Sequence, residues 1–215
     1  SFVKFIGYSP VDFHHNPHPV IIMELSSNRS LSHFLESLRN DEEIPDWDDT
    51  MKLINIYGIA SGMAFLHSHE IILRDLKPDN ILFDDYLFPK IIDFGLSKRL
   101  VNDIQNDKSG VVGTVAYIAP EVFLNETYDK PVDVYSFAMV VYEIMTNNRP
   151  FGNLTPFKIV PEIINNKKRP EFTEEIPDCY KKLMEKCWSQ EPNERPTFNE
   201  IFEILRNDSN FITED

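Results

Sequence analysis

Glycine, cysteine and positive charge are all scarce in this chain. Seven glycines are scattered through 215 residues without a cluster, so no glycine-rich turn that could wrap phosphate oxygens with backbone amides is encoded. The two cysteines, Cys179 and Cys187, fall on one expected helix at a spacing that suits neither a metal clip nor a redox pair. A reduced, cytoplasmic setting is expected rather than a disulfide scaffold. Lys and Arg number 21 against 35 Asp and Glu, a net charge of -14, which removes nucleic acid and anionic membrane as default partners. No apolar run approaches the roughly 18 residues of a membrane span, and no signal-peptide pattern opens the chain. Repeats and low-complexity tracts are absent too. The chain starts Ser1-Phe2-Val3, without an initiator Met and already alternating like a strand, so a fragment is expected.

What is present is enough for one sizeable core. Hydrophobic residues make up 42% of the chain and aromatics 12%, ordinary values for a globular domain or one large lobe of one. Phe2 to Tyr8 and Val20 to Glu24 read as short strands, joined by a loop in which His14, His15 and His18 stand among prolines. Proline-broken histidines without a partner on a rigid element read as a surface loop. Ser30 is placed to cap a helix bearing Leu31, Phe34, Leu35 and Leu38 on one face. Thr50 to His69 is apolar nearly all round, as is Pro131 to Met145, and such helices belong inside a domain. Phe157 to Asn166, Asp178 to Trp188 and Thr197 to Arg206 read as further helices, the last opened by the capping box Thr197-Phe198-Asn199-Glu200. Asp208 to Asp215 reads as a frayed tail.

The segments with chemistry lie between the two apolar helices. Arg74-Asp75 is followed by Lys77 and, five residues after the Asp, by Asn80; then come Asp93-Phe94-Gly95 and Ala119-Pro120-Glu121. One carboxylate, one ammonium, one amide and a second carboxylate at these spacings suit phosphoryl transfer, which asks mainly for positioning and charge neutralisation. The three motifs in this order, with Val132-Asp133-Val134-Tyr135-Ser136-Phe137 opening a buried helix, resemble the protein kinase signature over essentially the whole chain. The resemblance implies an α+β, protein-kinase-like fold. Residues 1–26 would be a remnant of the small lobe with the hinge, 27–207 the large lobe and 208–215 the tail.

The resemblance also implies roles. Asp75 would be the catalytic base toward a substrate hydroxyl, and Lys77 would neutralise charge on the transferred phosphate. Asn80 and Asp93 would ligate Mg²⁺, a cation that prefers oxygen donors. Met23, Glu24 and Ser26, with Leu25, would form the adenine-side hinge, and Leu82 the floor beneath adenine. Mg-ATP would be the cofactor and protein Ser or Thr side chains the substrate. The oligomeric state is left open. Glu121 and Arg195 would form a buried ion pair, and Asp133 would accept hydrogen bonds from the catalytic-loop backbone. Lys77, Gly113-Thr114 and Trp188 resemble the tyrosine-kinase-like serine/threonine group, in which the threonine hydroxyl bridges the base and the lysine. Arg74 could pair with a phosphorylated activation segment, with Ser97 and Ser109 as candidate sites.

Two departures matter. No glycine-rich loop and no phosphate lysine accompany these motifs, Lys4 reading as a strand lysine, so the piece by itself is expected to be inactive, to bind ATP poorly, to expose strand edges and to aggregate. Leu73 stands where the family usually has His, an imidazole that packs against the Phe of the metal-binding motif, here Phe94, in a column with Phe5. Both departures favour a rival reading, a pseudokinase or scaffold; intact Asp75, Lys77, Asn80 and Asp93 oppose it. A small-molecule phosphotransferase shares the Asp–Asn spacing, but Ala119-Pro120-Glu121 and the helices beyond suit a peptide substrate. Leucine nearly matches the bulk of histidine and loses only its polar contacts. In a complete kinase domain Leu73→His is therefore expected to change transfer activity modestly; a rise of about a hundredfold in kcat/KM would instead mark an attenuated enzyme.

Overall fold

The computed structural model describes residues 1–26, 28–99, 114–124, 129–173 and 175–211. Two helices set its frame. Helix α2 (Asp49–Ser68) starts at Asp48, whose carboxylate accepts from Met51 N at 2.7 Å. Helix α4 (Pro131–Thr146) starts with Pro131, whose missing N–H costs nothing in a first turn. It ends at Asn147, which takes a left-handed φ of 56° and returns its N–H to Glu143 O. Every residue of α4 except Pro131 and Met145 is buried, as its all-round apolar sequence requires. Helix α2 is less enclosed than expected. It buries one broad face that includes Ile56, Ile59, Met63 and Leu66, while Phe65 remains 55% exposed.

Two short hairpins lie against these helices. Strand β4 (Ile81–Phe83) pairs antiparallel with β5 (Pro89–Ile91), and β3 (Ile71–Ile72) pairs with β6 (Lys98–Arg99). Strand β5 sits close on α2 because α2 offers glycine there. A Cβ on Gly58 would come within 2.7 Å of Pro89 Cγ, and one on Gly62 within 2.9 Å of Ile91 Cδ1. Helix α1 (Leu31–Arg39) is capped by Ser30 and inserts Leu31 and Leu35 fully into the core. Helices α3 (Pro120–Phe123), α5 (Pro156–Asn165), α6 (Asp178–Cys187) and α7 (Phe198–Asn207) complete the helical body, with α7 packed along α2 and α6 along α4. Both halves of the capping box at Thr197 and Glu200 form.

The N-terminal strands differ from the sequence expectation. Strands β1 (Phe5–Ser9) and β2 (Val20–Met23) pair antiparallel, but β1 begins three residues late. The first residues pair instead with β5: Ile91 N donates to Ser1 O at 2.7 Å, and Val3 N to Ile91 O at 3.3 Å. This places the Phe2 ring 5.9 Å from both Phe65 and Phe94. Phe2, not Phe5, is therefore the partner of Phe94, and Phe5 is 61% exposed. The hairpin leaves Ile6, Tyr8, Ile21 and Met23 open to solvent as well. In the connecting loop the Asp12 carboxylate accepts from His14 N, Asn16 N and Asn16 Nδ2 and lies 3.1 Å from His18 Nδ1, so an acidic side chain organises the histidines.

The tail is also corrected. Ser209–Phe211 form a single 3-10 turn, and Phe211 is buried edge-on against Tyr180, with ring centroids 4.9 Å apart. One buried aromatic ring outweighs the entropy that would otherwise fray a short polar segment. Residues 212–215 lie outside the described residues.

A two-pronged ion pair closes the body. Arg195 Nη1 and Nη2 donate to Glu121 Oε1 and Oε2 at 2.6 and 2.9 Å, while Nη1 also reaches Pro131 O and Nε reaches Ser189 O. Both side chains are buried, so removing one strands the other's charge at a cost of about 3–5 kcal/mol. Arg195→Ala should therefore lower the melting temperature sharply in a calorimetric scan, and an unchanged melt would contradict this architecture.

Candidate active site

The loop between β3 and the 3-10 turn Pro78–Asn80 carries most of the candidate chemistry. Its shape is imposed from below by Asp133, which is fully buried in the first turn of α4. Asp133 Oδ2 accepts from Leu73 N at 2.8 Å and Oδ1 accepts from Arg74 N at 2.8 Å. Oδ2 also lies 2.9 Å from His67 Nε2, near the end of α2. Arg74 is held at a left-handed φ of 68°, unfavourable for a side chain with a Cβ, and its Nε donates to Leu96 O at 2.5 Å. These bonds turn the chain so that Asp75 follows directly. The Leu73 side chain is wholly buried, so the departure from His is accommodated as packing, with its backbone bond to Asp133 intact.

Three of the four expected groups meet at one carboxylate. Lys77 Nζ lies 2.8 Å from Asp75 Oδ2, and Asn80 Nδ2 donates to both Asp75 Oδ2 and Asp75 O at 2.8 Å. The Lys–Asp contact is direct, without the bridging hydroxyl expected of Thr114, which is exposed at the head of the 3-10 turn Val115–Tyr117. Asp75 is 8% exposed, so this carboxylate is largely desolvated and its neighbours replace water. Because Asn80 uses its Nδ2 atom twice on Asp75, its amide orientation is fixed. Its Oδ1 atom, a hard oxygen donor, is the end not used in this anchoring.

Asp93 stands one residue beyond Ile92, whose N–H donates to Asn80 O at 2.9 Å. It is exposed, takes a left-handed φ of 64°, and accepts from Gly95 N at 3.0 Å through Oδ1. Arg74 and Asp93, on the segments before β4 and after β5, both hold this conformation, the sort of strain found where side chains are aimed for function. An amide oxygen and a carboxylate fit Mg²⁺, which takes only one or two protein ligands and completes its shell with water and phosphate oxygens.

The residues expected on the adenine side lie close to β4. Ser26 Oγ donates to Phe83 O, Asn28 Nδ2 donates to Asp84 O at 2.6 Å, and Ser30 bridges to Leu82. Met23 is 49% exposed at the end of β2. Glu24 Oε1 accepts from Lys4 N at 3.0 Å and lies 3.6 Å from Lys90 Nζ. Glu24 and Ser26 thus contact the β4–β5 hairpin that contains Leu82, and Met23 directly precedes them in the chain. Of the proposed phosphorylation sites, Ser97 closes a turn by donating to Phe94 O at 2.7 Å, and Ser109 lies outside the described residues, as does Gly113.

A family model described as "Protein kinase domain" matches residues 6–205. The chain belongs to the protein kinase domain family. Among curated relatives, this kinase domain is 33% identical over 95% of its length to the serine/threonine-protein kinase STY17 of Arabidopsis thaliana. It is 37% identical over 86% of its length to the RGS domain-containing serine/threonine-protein kinase A of Dictyostelium discoideum. Over 65% of its length it is 38% identical to the dual specificity protein kinase shkB of the same organism. The chain spans 34%, 16% and 22% of these relatives, respectively. The α+β kinase-like fold follows from the family match and from the helical body with its reduced sheets.

Two features of the kinase domain escaped the sequence reading. His67 supports Asp133, and the only hint was a histidine near the end of an otherwise apolar helix. Glu143, buried on α4, accepts from Tyr117 OH and from Arg39 Nη2, the latter at 2.6 Å. Burial pushes the Glu143 carboxyl up and raises the Tyr117 hydroxyl well above its usual range. These contacts join residues far apart in the chain, so no local pattern announces them. Asp133→Asn would turn one N–H acceptor into a donor facing donors. It should cost about 1–3 kcal/mol in urea unfolding, with catalytic-loop amides exchanging faster with deuterium than in the native chain.

Proposed function

We propose that this kinase domain transfers the γ-phosphoryl group of Mg-ATP to Ser or Thr side chains of protein substrates. The observation that supports the reading best is the convergence of Lys77 and Asn80 on the single buried carboxylate of Asp75. Asp75 accepts the substrate hydroxyl's hydrogen bond and takes its proton, with Asn80 fixing the carboxylate's orientation. Lys77 places a positive charge beside the same oxygen, so it stabilises negative charge building nearby. Asn80 Oδ1 and Asp93 would hold Mg²⁺; Met23, Glu24, Ser26 and Leu82 would line the adenine side. Mg-ATP supplies the phosphoryl group and the neutralisation of its own phosphates. Residues 1–26 would act as the remnant of the small lobe with the hinge, residues 27–207 as the large lobe and residues 208–215 as the tail.

Serine and threonine are favoured over tyrosine by Lys77 two residues past the base and by Thr114 ahead of the α3 segment, features that resemble the tyrosine-kinase-like serine/threonine group. The relative named as a dual specificity kinase makes tyrosine the acceptor to test beside them. Radiolabelled phosphate transfer to Ser, Thr and Tyr peptide arrays, with small alcohols as controls, tests the reading. Tested where a glycine-rich loop and a phosphate lysine complete the nucleotide clamp, Asp75→Asn should reduce transfer about 10²–10⁴-fold while nucleotide binding persists. Undiminished transfer in that variant would remove Asp75 as the base.

A further inference from the structure

A cavity of about 410 Å³ lies away from Asp75, between the ends of α1 and α4 and the segment that follows α5. Its lining is out of keeping with a chain of net charge -14. Arg39, Arg149, Lys168 and Arg169 contribute to it, against one carboxylate, Glu171. Glu171 lies 3.8 Å from Lys168 Nζ. Arg169 is anchored by Trp188 O at 2.7 Å and Gln190 Oε1 at 2.9 Å, and burial lowers its pKa.

The two remaining arginines share a carboxylate from the rim. Glu36 Oε2 lies 2.6 Å from Arg149 Nη2 and 3.6 Å from Arg39 Nη1. Glu36 and Arg149 are both well exposed, and exposed ion pairs of this sort contribute little to stability. Glu36 thus bridges two guanidinium groups at the mouth of a basic cavity, and solvent can exchange it. Arg39 is further held by Asn147 O and Glu143, and Arg169 by its own acceptors, so displacing Glu36 leaves Arg149, with Lys168 nearby, as the cations facing an incoming anion. A phosphate monoester carries more charge, about -1.5 to -2, and three acceptor oxygens, and it matches the arginine fork.

The cavity also has a physical link to the substrate side of the domain. Arg39 donates to Glu143, and Glu143 accepts from Tyr117, in the 3-10 turn just after Thr114. Ser136 Oγ holds the same turn by donating to Tyr117 O at 2.8 Å. A peptide lying on that turn therefore rests on the chain of contacts that ends in Arg39.

We propose that this cavity is a docking subsite for a phosphoserine or phosphothreonine already present on the protein substrate, which displaces Glu36 from Arg39 and Arg149. The proposal rests on the reading of the domain as a protein kinase, but its test does not require turnover. Binding of a fluorescein-labelled peptide, Ala-Ala-pSer-Ala-Ala-Ser-Ala, is measured by anisotropy without nucleotide, beside the unphosphorylated peptide and inorganic phosphate as a competitor. The phosphopeptide should bind at least about tenfold more tightly than its unphosphorylated form. Arg149→Glu with Lys168→Glu should abolish that preference, as should the milder pair Arg149→Gln and Lys168→Gln. Glu36→Gln should tighten phosphopeptide binding by about threefold, because the internal competitor is gone. No preference in the native chain, or a preference that survives both double variants, overturns the proposal. Inorganic phosphate competing as strongly as the phosphopeptide overturns the assignment to a peptide. Loss of transfer activity with retained phosphopeptide preference would count against the catalytic reading and leave the subsite standing.

Discussion

Asp133 is sealed from solvent, yet its two oxygens take hydrogen bonds from Leu73 N, Arg74 N and His67 Nε2. A buried carboxylate is tolerated only when such donors replace its lost hydration, so the loop cannot drift from α4 without leaving that charge bare. Every catalytic candidate on the loop inherits its place from this attachment. Arg74 enters its left-handed conformation under the pull of Oδ1, and Asp75 follows, ready to be met by Lys77 and Asn80. The α4 helix, almost wholly enclosed, is the rigid part, and the chemistry hangs from its first turn.

A second attachment at the same end of α4 has the same logic. Arg195 grips Glu121 with two nitrogens and Pro131 O with one of them, tying the α3 segment, the start of α4 and the stretch before α7 together. The Tyr135 ring lies beneath two guanidinium groups, Arg195 at 5.3 Å and Arg169 at 5.2 Å. Its hydroxyl is pushed up to about 12 by burial, so the ring stays neutral and keeps its electron-rich face toward both cations. One turn of α4 thus fixes the loop that carries Asp75 and the segment expected to hold the substrate.

The sequence made the catalytic spacing and the large helices legible because both are local. Five residues separate Asp75 from Asn80 in any arrangement, and caps such as Ser30 and Thr197 act within one turn. Residues brought together from distant parts of the chain were less legible. Phe2 took the place expected of Phe5 because the first three residues found backbone partners on β5, a pairing that no alternation pattern reveals. The order of Ser209–Phe211 was not legible because one ring, Phe211, decides their position, and composition over eight residues hides one ring. Tyr117, Glu143 and Arg39 come from three segments, and their polar side chains looked like ordinary surface or helix residues until burial was known.

The two bare positions on α2 have a consequence for the spacing of the whole site. With hydrogen in place of a methyl at residues 58 and 62, β5 can lie against the helix backbone at Pro89 and Ile91. The residue after Ile91 donates to Asn80 O, and the next is Asp93. The helix backbone therefore works as a datum plane from which the depth of the amide and of the second carboxylate is measured. A single added methyl, on a face that touches neither residue, would push the strand outward and carry both groups with it. The depth at which Asn80 and Asp93 stand is thus set by atoms that are missing from a helix behind them.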